Sequence, residues 1–357
     1  MESLVDILNF YKGKVVLVTG HTGFKGSWLS KILIMAGAKV VGYSLEAPTN
    51  PNLFTLLDLE KEMVSIIGDI RDLSKLSKAF EIHQPEIVFH LAAQPIVKSS
   101  YEFPVYTYEV NVMGTVNVCE NVRRNSCVKS FLNVTTDKVY ENENIINHPF
   151  LEEEKLNGHD PYSNSKSCSD IVTNAYYKSF FKDLGIGIST VRAGNVIGGG
   201  DFAPYRILPD CARALKAGAT MIIRNPNSTR PYQHVLEPLC CYLEIAKKQY
   251  ESQEYSGAYN IGPDSCDFVT TKTIVEMFAA YFGNEFNYDI KPDNGPYEAS
   301  FLSLSNTKMK KVFGWEPRID IHKAVTMTAK WYDLFRNKKS IKEETENQIK
   351  NYFELSN

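Results

Sequence analysis

The chain has 357 residues, of which 43% are hydrophobic and 23% charged, a composition typical of a globular protein with a sizeable core. Its 39 basic and 42 acidic residues give a net charge of −3, which argues against a dedicated nucleic-acid-binding protein. No apolar run approaches the roughly 18 residues needed to cross a bilayer, and the N-terminus lacks the basic start of a secretory signal. The seven scattered cysteines include no C-x-x-C pair, so we expect reduced thiols in a cytoplasmic protein, with neither disulfides nor a metal site.

Apolar, β-branched runs alternate with helix-spaced segments over the first half of the chain. The first run, 14–20, is followed by helical spacing over 27–36, and a glycine stands at position 37 where such a helix would end. Similar runs at 38–43, 63–67, 86–91, 129–135 and 186–192 predict further strands. Strands that alternate with helices predict an α/β fold with a Rossmann-like, doubly wound parallel sheet.

Beyond about residue 195 the pattern becomes less regular. We predict short helices at 207–216, 234–249 and 270–283, a strand at 220–224 and a turn-rich stretch at 284–300. The polar tail, 336–357, predicts a solvated helix or a frayed end. We therefore expect a sheet domain over 1–195 and a smaller, interleaved α+β domain mainly over 196–357, with some segments returning to the sheet.

A glycine-rich loop stands between the first predicted strand and the first predicted helix. Gly20, Gly23 and Gly26 are spaced G-x-x-G-x-x-G. In such a loop the first glycine permits a tight turn, the second lets backbone approach a pyrophosphate, and the third lets the helix pack on the strand. The context of strand, loop and helix predicts a dinucleotide site.

The choice between NAD and NADP stays open from these residues alone. The second predicted strand ends in Ser44, and Glu46 comes slightly late for an acidic residue that binds a ribose hydroxyl. Lys25 lies inside the loop, but no arginine is placed for a 2′-phosphate. Asp69 could reach an adenine amine, although capping of the next helix is an equal alternative.

A tyrosine and a lysine lie four residues apart in a predicted helix that Pro161 opens. Tyr162 and Lys166 would then share one helix face. A nearby ammonium favours the phenolate and lowers the pKa of a phenol. The pair therefore predicts a general base for an alcohol that is being oxidised.

Together, the glycine loop and the Tyr162–Lys166 pair resemble the extended branch of the short-chain dehydrogenase/reductase superfamily. The segments 90–94, 108–115, 192–198, 259–262 and 314–317 resemble further landmarks of that family. The resemblance implies bound NAD and a sheet domain that holds it. The cofactor residues that it implies are Gly20, Thr22, Gly23, Phe24, Lys25, Gly26, Ser44, Asp69, Ile70, Leu91, Ala92, Ala93, Gln94, Asn111, Thr135, Tyr162 and Lys166.

The segment 133–140 narrows the resemblance to the nucleotide-sugar dehydratase branch. It carries Thr136, Asp137 and Lys138 where other 4,6-dehydratases resemble Thr-Asp-Glu. With the motifs at 23–28, 158–162 and 230–238, it looks like the CDP-glucose 4,6-dehydratase family. No short stretch specifies cytosine by itself. The resemblance implies dehydration of CDP-glucose to a 4-keto-6-deoxy sugar, for deoxysugar and lipopolysaccharide O-antigen synthesis.

The implied reaction oxidises sugar C4, eliminates water across C5 and C6, and returns the hydride to C6. Thr136 and Tyr162 would bind the C4 hydroxyl, Tyr162 beside Lys166 would take its proton, and a protonated Asp137 would release the C6 hydroxyl as water. Lys138 would either remove the C5 proton as a neutral amine or stabilise an enolate. The substrate-binding residues predicted are Gln94, Thr136, Asn195, Arg206, Arg230, Tyr232, His234 and Tyr297.

Two other functions remain open from the sequence. A nucleotide-sugar 4-epimerase needs Tyr162, Lys166 and NAD, but it needs no acid at position 137. A non-catalytic nucleotide-binding protein of the same fold would usually lack the tyrosine or the lysine, and this chain has both. The family resemblance also implies a homodimer or homotetramer, packed through helices around 104–124 and 161–183.

Overall fold

The computed structural model describes residues 3–145, 147–291 and 301–355. Seven parallel strands form one sheet in the spatial order β7-β6-β5-β4-β1-β2-β3. The strands are β1 Val15–Thr19, β2 Lys39–Ser44, β3 Val64–Ile67, β4 Ile87–His90, β5 Ser130–Val134, β6 Gly187–Ala193 and β7 Gly257–Ile261. This order confirms the doubly wound sheet. From β1 the chain adds strands toward one edge of the sheet, and from β4 it adds them toward the other edge. Such folds open a ligand crevice at this point, at the carboxyl ends of the strands.

Fifteen α-helical segments occur in the described residues. They are α1 Leu4–Phe10, α2 Phe24–Met35, α3 Leu53–Leu56, α4 Leu73–His83, α5 Val97–Glu102, α6 Pro104–Tyr108, α7 Gly114–Arg124, α8 Pro161–Tyr176, α9 Lys182–Leu184, α10 Ile207–Ala217, α11 Leu236–Glu251, α12 Thr271–Phe282, α13 Thr307–Phe313, α14 Ile321–Arg336 and α15 Ile341–Phe353. Wider π-helical turns over Glu109–Met113 and Tyr177–Phe181 interrupt the two helical stretches that include α7 and α8.

The sheet is buried on both faces, which explains the continuous apolar runs of its strands. Val16, Leu17 and Val18 of β1 are fully buried. On one face Leu17 packs in a core with Phe80 of α4 and with residues of α7, whereas Val16 and Val18 join a larger core that includes α2, α11 and the C-terminal helices. Parallel strands covered by helices on both faces have this pattern.

In the residues that the structure describes, four short strand pairs lie outside the seven-stranded sheet, and three of them lie wholly beyond β6 in the chain. They are Val196–Ile197 with Gln233–His234, Met221–Ile223 with Tyr288–Ile290, Thr229–Arg230 with Val269–Thr270, and Pro149–Phe150 with Ser303–Leu304. The chain returns to the sheet at β7, which pairs with β6. The sequence analysis left β7 unassigned. The domain division at residue 195 stays a prediction.

The C-terminal tail differs from the prediction of a solvated or frayed end. Over Ile341–Phe353 it forms α15, whose Ile349 and Phe353 are fully buried. Thr345 accepts a hydrogen bond of 2.9 Å from the Trp331 indole of α14. The segment is a helix, as one of the two alternatives predicted, but it is not solvated, because apolar residues at helical spacing form a buried stripe among the charged ones.

Neither a membrane span nor a metal centre is found in the described part of the chain. None of its helices is both long and apolar enough to cross a bilayer. Its His, Cys, Asp and Glu side chains form no group of three or more that could hold a metal ion.

Candidate active site

The glycine loop makes a tight strand-to-helix turn that has room for an anion. Gly20 has a φ of +74°, and a Cβ there would lie 2.8 Å from the Ala92 nitrogen. A Cβ on Gly26 would lie 2.1 Å from the Gly20 oxygen, so the start of α2 packs directly on the end of β1. Gly23 is the N-cap residue of α2 and has no side chain to cover the helix terminus. These features fit a dinucleotide pyrophosphate.

The next part of the predicted cofactor site lies at the ends of β2 and β3. The hydroxyls of Thr22 and Ser44 are 2.8 Å apart, and Thr22 also donates to the Leu45 carbonyl. Both carboxylate oxygens of Asp69 accept hydrogen bonds from the Arg71 guanidinium, the shortest at 2.7 Å. That pairing lowers the pKa of Asp69. An adenine amine would therefore have to share this carboxylate with a cation.

Gln94 and Asn111, both predicted to contact the cofactor, form hydrogen bonds within the protein in this structure. The Gln94 amide donates to Thr107 at 3.0 Å and accepts from the Ile96 nitrogen at 2.6 Å, so its polar atoms are engaged beside the substrate cavity. Asn111 accepts from the Gln94 nitrogen at 2.8 Å and donates to Ser165 of α8 at 2.9 Å. Gln94 is not among the residues that line the cavity, and its assignment to substrate binding stays a prediction. In this structure the two side chains fix the segment after β4 against α6 and α8.

Helix α8 carries the predicted base. Asp160 caps its start by accepting from the Ser163 nitrogen at 3.0 Å, and Pro161 occupies its first turn. Tyr162 and Lys166 are both buried on one face of the helix, as their spacing predicts. The Lys166 ammonium donates to the Val134 carbonyl at 3.0 Å, which ties the helix to the carboxyl end of β5.

The three residues that distinguish dehydratases stand immediately after β5. Thr136 donates to Oδ1 of Asp137 at 2.9 Å, and the Lys138 ammonium lies 3.2 Å from the same oxygen. The Asp137 side chain is only 1% exposed. Its second oxygen, Oδ2, is buried and has no hydrogen-bond partner among the described residues. A buried polar atom of this kind is expected where a ligand hydroxyl binds.

Burial dominates the electrostatics of the tyrosine and the lysine. It raises the pKa of Tyr162 to about 12, although a hydrogen bond with Thr136 acts in the opposite direction. It lowers the pKa of Lys166 to about 7, helped by the positive charge of Lys25. Burial and the charge of Arg206 lower the pKa of Lys25 to about 8. Lys25 thus acts on Lys166, and Arg206 acts on both Lys25 and Tyr162, so these four side chains form one electrostatically coupled group.

A cavity of about 470 Å³ joins these groups to the less regular half of the chain. Of the predicted catalytic and substrate residues, its walls include Thr136, Asp137, Lys138, Tyr162, Asn195, Arg206, Arg230 and Tyr232. His234 lies elsewhere. Its ring is fully buried against Trp28, with centroids 6.1 Å apart, so the prediction that it binds substrate is corrected. The predicted residue Tyr297 lies outside the described residues.

The cavity also has walls that the sequence analysis missed. They include Lys98, His159, Asp160, Tyr205, Arg224 and Asn225. The Lys98 ammonium lies 4.4 Å from the centre of the Tyr205 ring. These residues come from loops and element ends. Among them only His159 and Asp160 had a signal in the sequence, because both belong to the motif at 158–162.

The protein-family model described as GDP-mannose 4,6 dehydratase matches residues 17–328. The chain belongs to this family. The match confirms the resemblance to nucleotide-sugar dehydratases of the extended short-chain dehydrogenase/reductase superfamily. Among curated relatives, a CDP-glucose 4,6-dehydratase of Salmonella typhimurium is 45% identical over 91% of this chain and 92% of its own length. A dTDP-glucose 4,6-dehydratase of Xanthomonas campestris is 26% identical over 88% of this chain and 92% of its own.

Solved structures of nucleotide-sugar epimerases and dehydratases have the same fold as this chain. A UDP-glucose 4-epimerase of Thermotoga maritima with UDP-glucose has a TM-score of 0.78 at 22% identity, covering 90% of this chain and 99% of that one. A dTDP-glucose 4,6-dehydratase of Bacillus anthracis in complex with NAD has a TM-score of 0.75 at 22% identity, covering 90% and 97%. These likenesses establish the fold.

Proposed function

We propose that the protein is an NAD-dependent hydro-lyase that converts CDP-glucose to CDP-4-keto-6-deoxyglucose and water. The observation that carries this proposal is the placement of Asp137 and Lys138 in the cavity that also holds Tyr162. An acid and a second proton-transfer group beside an alcohol-oxidising tyrosine are what elimination requires beyond oxidation. The 45% identity with a CDP-glucose 4,6-dehydratase supports the same reaction and the cytidine nucleotide.

The residues around the glycine loop fit NAD. The N-terminus of α2 would hold the pyrophosphate, and Thr22 and Ser44 lie where the adenosine half would follow. When bound, NAD accepts hydrogen from sugar C4 and gives it back at C6. The protein must therefore retain the cofactor through the whole cycle, which the buried turn between β1 and α2 favours.

Tyr162 and Thr136 would bind the C4 hydroxyl of the sugar. Tyr162 takes the hydroxyl proton, for which its phenol must first be ionised. Burial raises the pKa of Tyr162, whereas the hydrogen bond with Thr136 and the positive charge of Arg206 act in the opposite direction. A charged Lys166, one helix turn away, would favour the ionised phenol further. Lys166 is fixed for this role by its hydrogen bond to Val134.

Asp137 and Lys138 would carry out the elimination. A protonated Asp137 can donate to the departing C6 hydroxyl through its unpartnered Oδ2, while its Oδ1 remains bonded to Thr136. Lys138 lies beside it, and removes the C5 proton when its amine is neutral. Stabilisation of the enolate by a charged Lys138 is the alternative role, and it leaves the proton to another base.

Epimerisation at C4 is the competing activity, since a UDP-glucose 4-epimerase of Mycolicibacterium smegmatis is 29% identical over 90% of this chain. Epimerases and dehydratases both need Tyr162, Lys166 and NAD. The buried Asp137 with its neighbour Lys138 favours dehydration, because an epimerase has no leaving group to protonate. The absence of the 6-hydroxyl from the product would distinguish the two.

The test is incubation of the pure, NAD-loaded protein with CDP-, dTDP-, UDP- and GDP-glucose. We expect a 4-keto-6-deoxy product, identified by mass spectrometry as the loss of one water, with CDP-glucose giving the highest kcat/KM. A galactose nucleotide without loss of water would contradict dehydration. A higher kcat/KM for another nucleotide would contradict the cytidine assignment alone.

The proposal includes a homodimer or homotetramer in the cytoplasm that serves deoxysugar and O-antigen synthesis. The helices around 104–124 and 161–183 leave large apolar side chains exposed, among them Val105 at 71% and Ile171 at 52%. Apolar exposure of this size on neighbouring helices favours a subunit contact. Analytical ultracentrifugation should show a dimer or tetramer that dissociates when Val105 and Ile171 are replaced by aspartate.

A further inference from the structure

A buried ion pair lies directly behind the catalytic residues. Asp170 follows Lys166 by one turn of α8, so it lies on the same helix face, and its side chain is only 4% exposed. Its two oxygens accept four hydrogen bonds. The donors are Nε and Nη2 of Arg192, both at 2.9 Å, the Thr190 hydroxyl at 3.1 Å and the Thr135 hydroxyl at 3.2 Å. The carboxylate therefore joins α8 to β6 and to the residue that follows β5.

Arg192 extends this connection to Tyr140, at the other end of the segment 135–140 that contains Thr136, Asp137 and Lys138. Its Nη1 donates to the Tyr140 hydroxyl and to the Glu152 carbonyl, each at 2.8 Å. The guanidinium also lies 5.1 Å from the centre of the Tyr140 ring. Tyr140 in turn donates to Asn260 of β7 at 2.6 Å. One planar cation thus binds Asp170, Tyr140 and Glu152, which come from three separate parts of the chain.

The two ends of the segment 135–140 are Thr135 and Tyr140, and both are bonded to this ion pair. Between them stand Thr136, Asp137 and Lys138, which the proposed function assigns to the reaction. We propose that the Asp170–Arg192 ion pair is a positioning unit, which clamps both ends of the segment 135–140 to the helix of Tyr162 and Lys166 and balances the charge beside Lys166. This inference rests on the proposed function.

Charges from several elements face Lys166. The positive charge of Lys25 of α2 lowers the pKa of Lys166, and the negative charge of Asp170 raises it. His90 of β4 is held neutral, because burial lowers its pKa to about 3. Tyr162 shares the helix, and Asp137 lies beside Tyr162. Asp170 is thus the anion that favours the charged lysine, and Arg192 neutralises part of its effect.

This arrangement predicts opposite shifts when either partner of the pair is removed. Asp170→Asn leaves the Arg192 cation uncompensated, so Lys166 loses its proton at lower pH. Arg192→Gln leaves the Asp170 anion uncompensated, so Lys166 keeps its proton to higher pH. If Lys166 must be charged for catalysis, the alkaline limb of kcat/KM moves down by roughly half a pH unit or more in the first variant and up in the second.

The double variant Asp170→Asn/Arg192→Gln removes both charges. We expect its alkaline limb to lie close to that of the wild type, with a kcat about tenfold lower because the segment 135–140 has lost its clamp. If the alkaline limb shifts in the same direction in both single variants, or stays at its wild-type pH in all three variants, the ion pair does not set the charge of Lys166. Ser189→Ala is the matched control, since Ser189 is buried on the same strand and bonds Gln249 instead, at 2.6 Å. It should leave the pH profile unchanged.

Arg192→Lys tests the clamp without leaving either charge unpaired, and so remains informative if the single variants do not fold. An ammonium cannot reach Asp170, Tyr140 and Glu152 together. We expect a kcat about tenfold lower with an unchanged alkaline limb. A wild-type kcat in this variant would overturn the positioning role.

The wild type separates this inference from the proposed function. Wild-type protein that forms no 4-keto-6-deoxy sugar from any nucleotide-glucose would refute the proposed function. Wild-type protein that dehydrates CDP-glucose, with variants that lack the expected shifts, would refute the ion-pair inference alone. Circular dichroism and NAD titration of each variant show whether it is folded and binds the cofactor.

Discussion

The two ends of the cavity are built in different ways. The catalytic end stands on regular elements, with Asp137 directly after β5 and Tyr162 in the first turn of α8, and both side chains are buried. The far end is formed by loops and strands of two or three residues, including Met221–Ile223 and Thr229–Arg230. Reaction chemistry needs fixed geometry, whereas recognition of a particular nucleotide can be changed by altering loops.

The loop that contains Tyr205 illustrates the far end. Tyr205 has a φ of +62°, a left-handed conformation that side-chain-bearing residues rarely adopt. The loop is held by Asp201, which accepts from Arg206 at 2.8 Å, and by Tyr332, which donates to the Asp201 carbonyl. Contacts of single side chains therefore shape this wall. The comparison predicts that changes at the catalytic end reduce kcat and that changes at the far end raise KM.

The largest effect is expected for Tyr162→Phe. Without the phenol no group takes the C4 hydroxyl proton, and general bases contribute about 10²–10⁴-fold to rates. We expect kcat for CDP-glucose to fall by about 10³-fold, measured as formation of the 4-keto product. Tyr176→Phe, at the last residue of the same helix, is the control and should keep wild-type turnover. Near-normal kcat in the first variant would remove Tyr162 as the base.

Asp137→Asn should block the reaction at a later point. The amide cannot donate a proton to the C6 hydroxyl as an acid does, so product formation should fall by about 10²–10³-fold. Oxidation at C4 does not need Asp137, and reduced-nicotinamide absorbance should rise after substrate is mixed with the protein. Turnover at the wild-type rate would show that another group supplies the proton.

Lys138→Met distinguishes the two roles left open for this lysine. If the Lys138 amine removes the C5 proton, exchange of that proton with deuterated solvent should slow by about 10²-fold together with kcat. If Lys138 only stabilises the enolate, another base still removes the C5 proton, so exchange and kcat should both fall by clearly less than this. Mass spectrometry of recovered substrate and product measures the exchange, and exchange at the wild-type rate would exclude Lys138 as the base.

Arg230→Lys probes the far end of the cavity. Arg230 is buried in the cavity wall, where a guanidinium can bind two diphosphate oxygens at once and an ammonium cannot. We expect KM for CDP-glucose to rise by roughly tenfold with kcat changed by less than threefold. A fall in kcat with an unchanged KM would contradict the division between the two ends of the cavity.

The sequence predicted the strands and the helix of the catalytic end because their signals are local, while the roles of the side chains stay predictions. Six strands follow from continuous apolar runs, and Tyr162 and Lys166 share a helix face by spacing alone. The ion pair behind them had no such signal. Asp170 and Arg192 are separated by 22 positions, and only the neighbouring positions of α8 and β6 bring them together.

The far end was harder to predict because motif membership does not determine which way a side chain points. His234 and Arg230 belong to one motif, yet the first packs against Trp28 in the core and the second lines the cavity. Similarly, α15 was predicted as a solvated tail because its buried positions are spaced among charged residues. Tertiary packing decided these cases, because spacing within a segment can indicate an apolar face but not which element of the fold covers it.

Glu237 offers a comparison with a region outside both ends of the cavity. It lies in the first turn of α11 and is 1% exposed. Its carboxyl accepts from the backbone nitrogens of Arg318 and Ile319, each at 2.8 Å, and from the Tyr352 hydroxyl of α15 at 3.1 Å. It therefore joins α11 to the C-terminal helices, and burial raises its pKa from 4.5 to about 7.

Glu237→Gln should change stability and leave kcat and KM almost unaltered, the smallest effect on activity. Between pH 4.5 and 7 the folded wild type holds a proton that the unfolded chain releases, so its stability falls as pH rises through this interval. A neutral amide removes that loss, and urea unfolding at pH 8 should show a gain of up to about 3 kcal/mol that vanishes near pH 5. Glu251→Gln, at the 46% exposed end of α11, should keep the wild-type pH dependence. Greater loss of stability in Glu237→Gln at pH 8 than at pH 5 would mean that the carboxylate is stabilised by its three donors more than burial disfavours it.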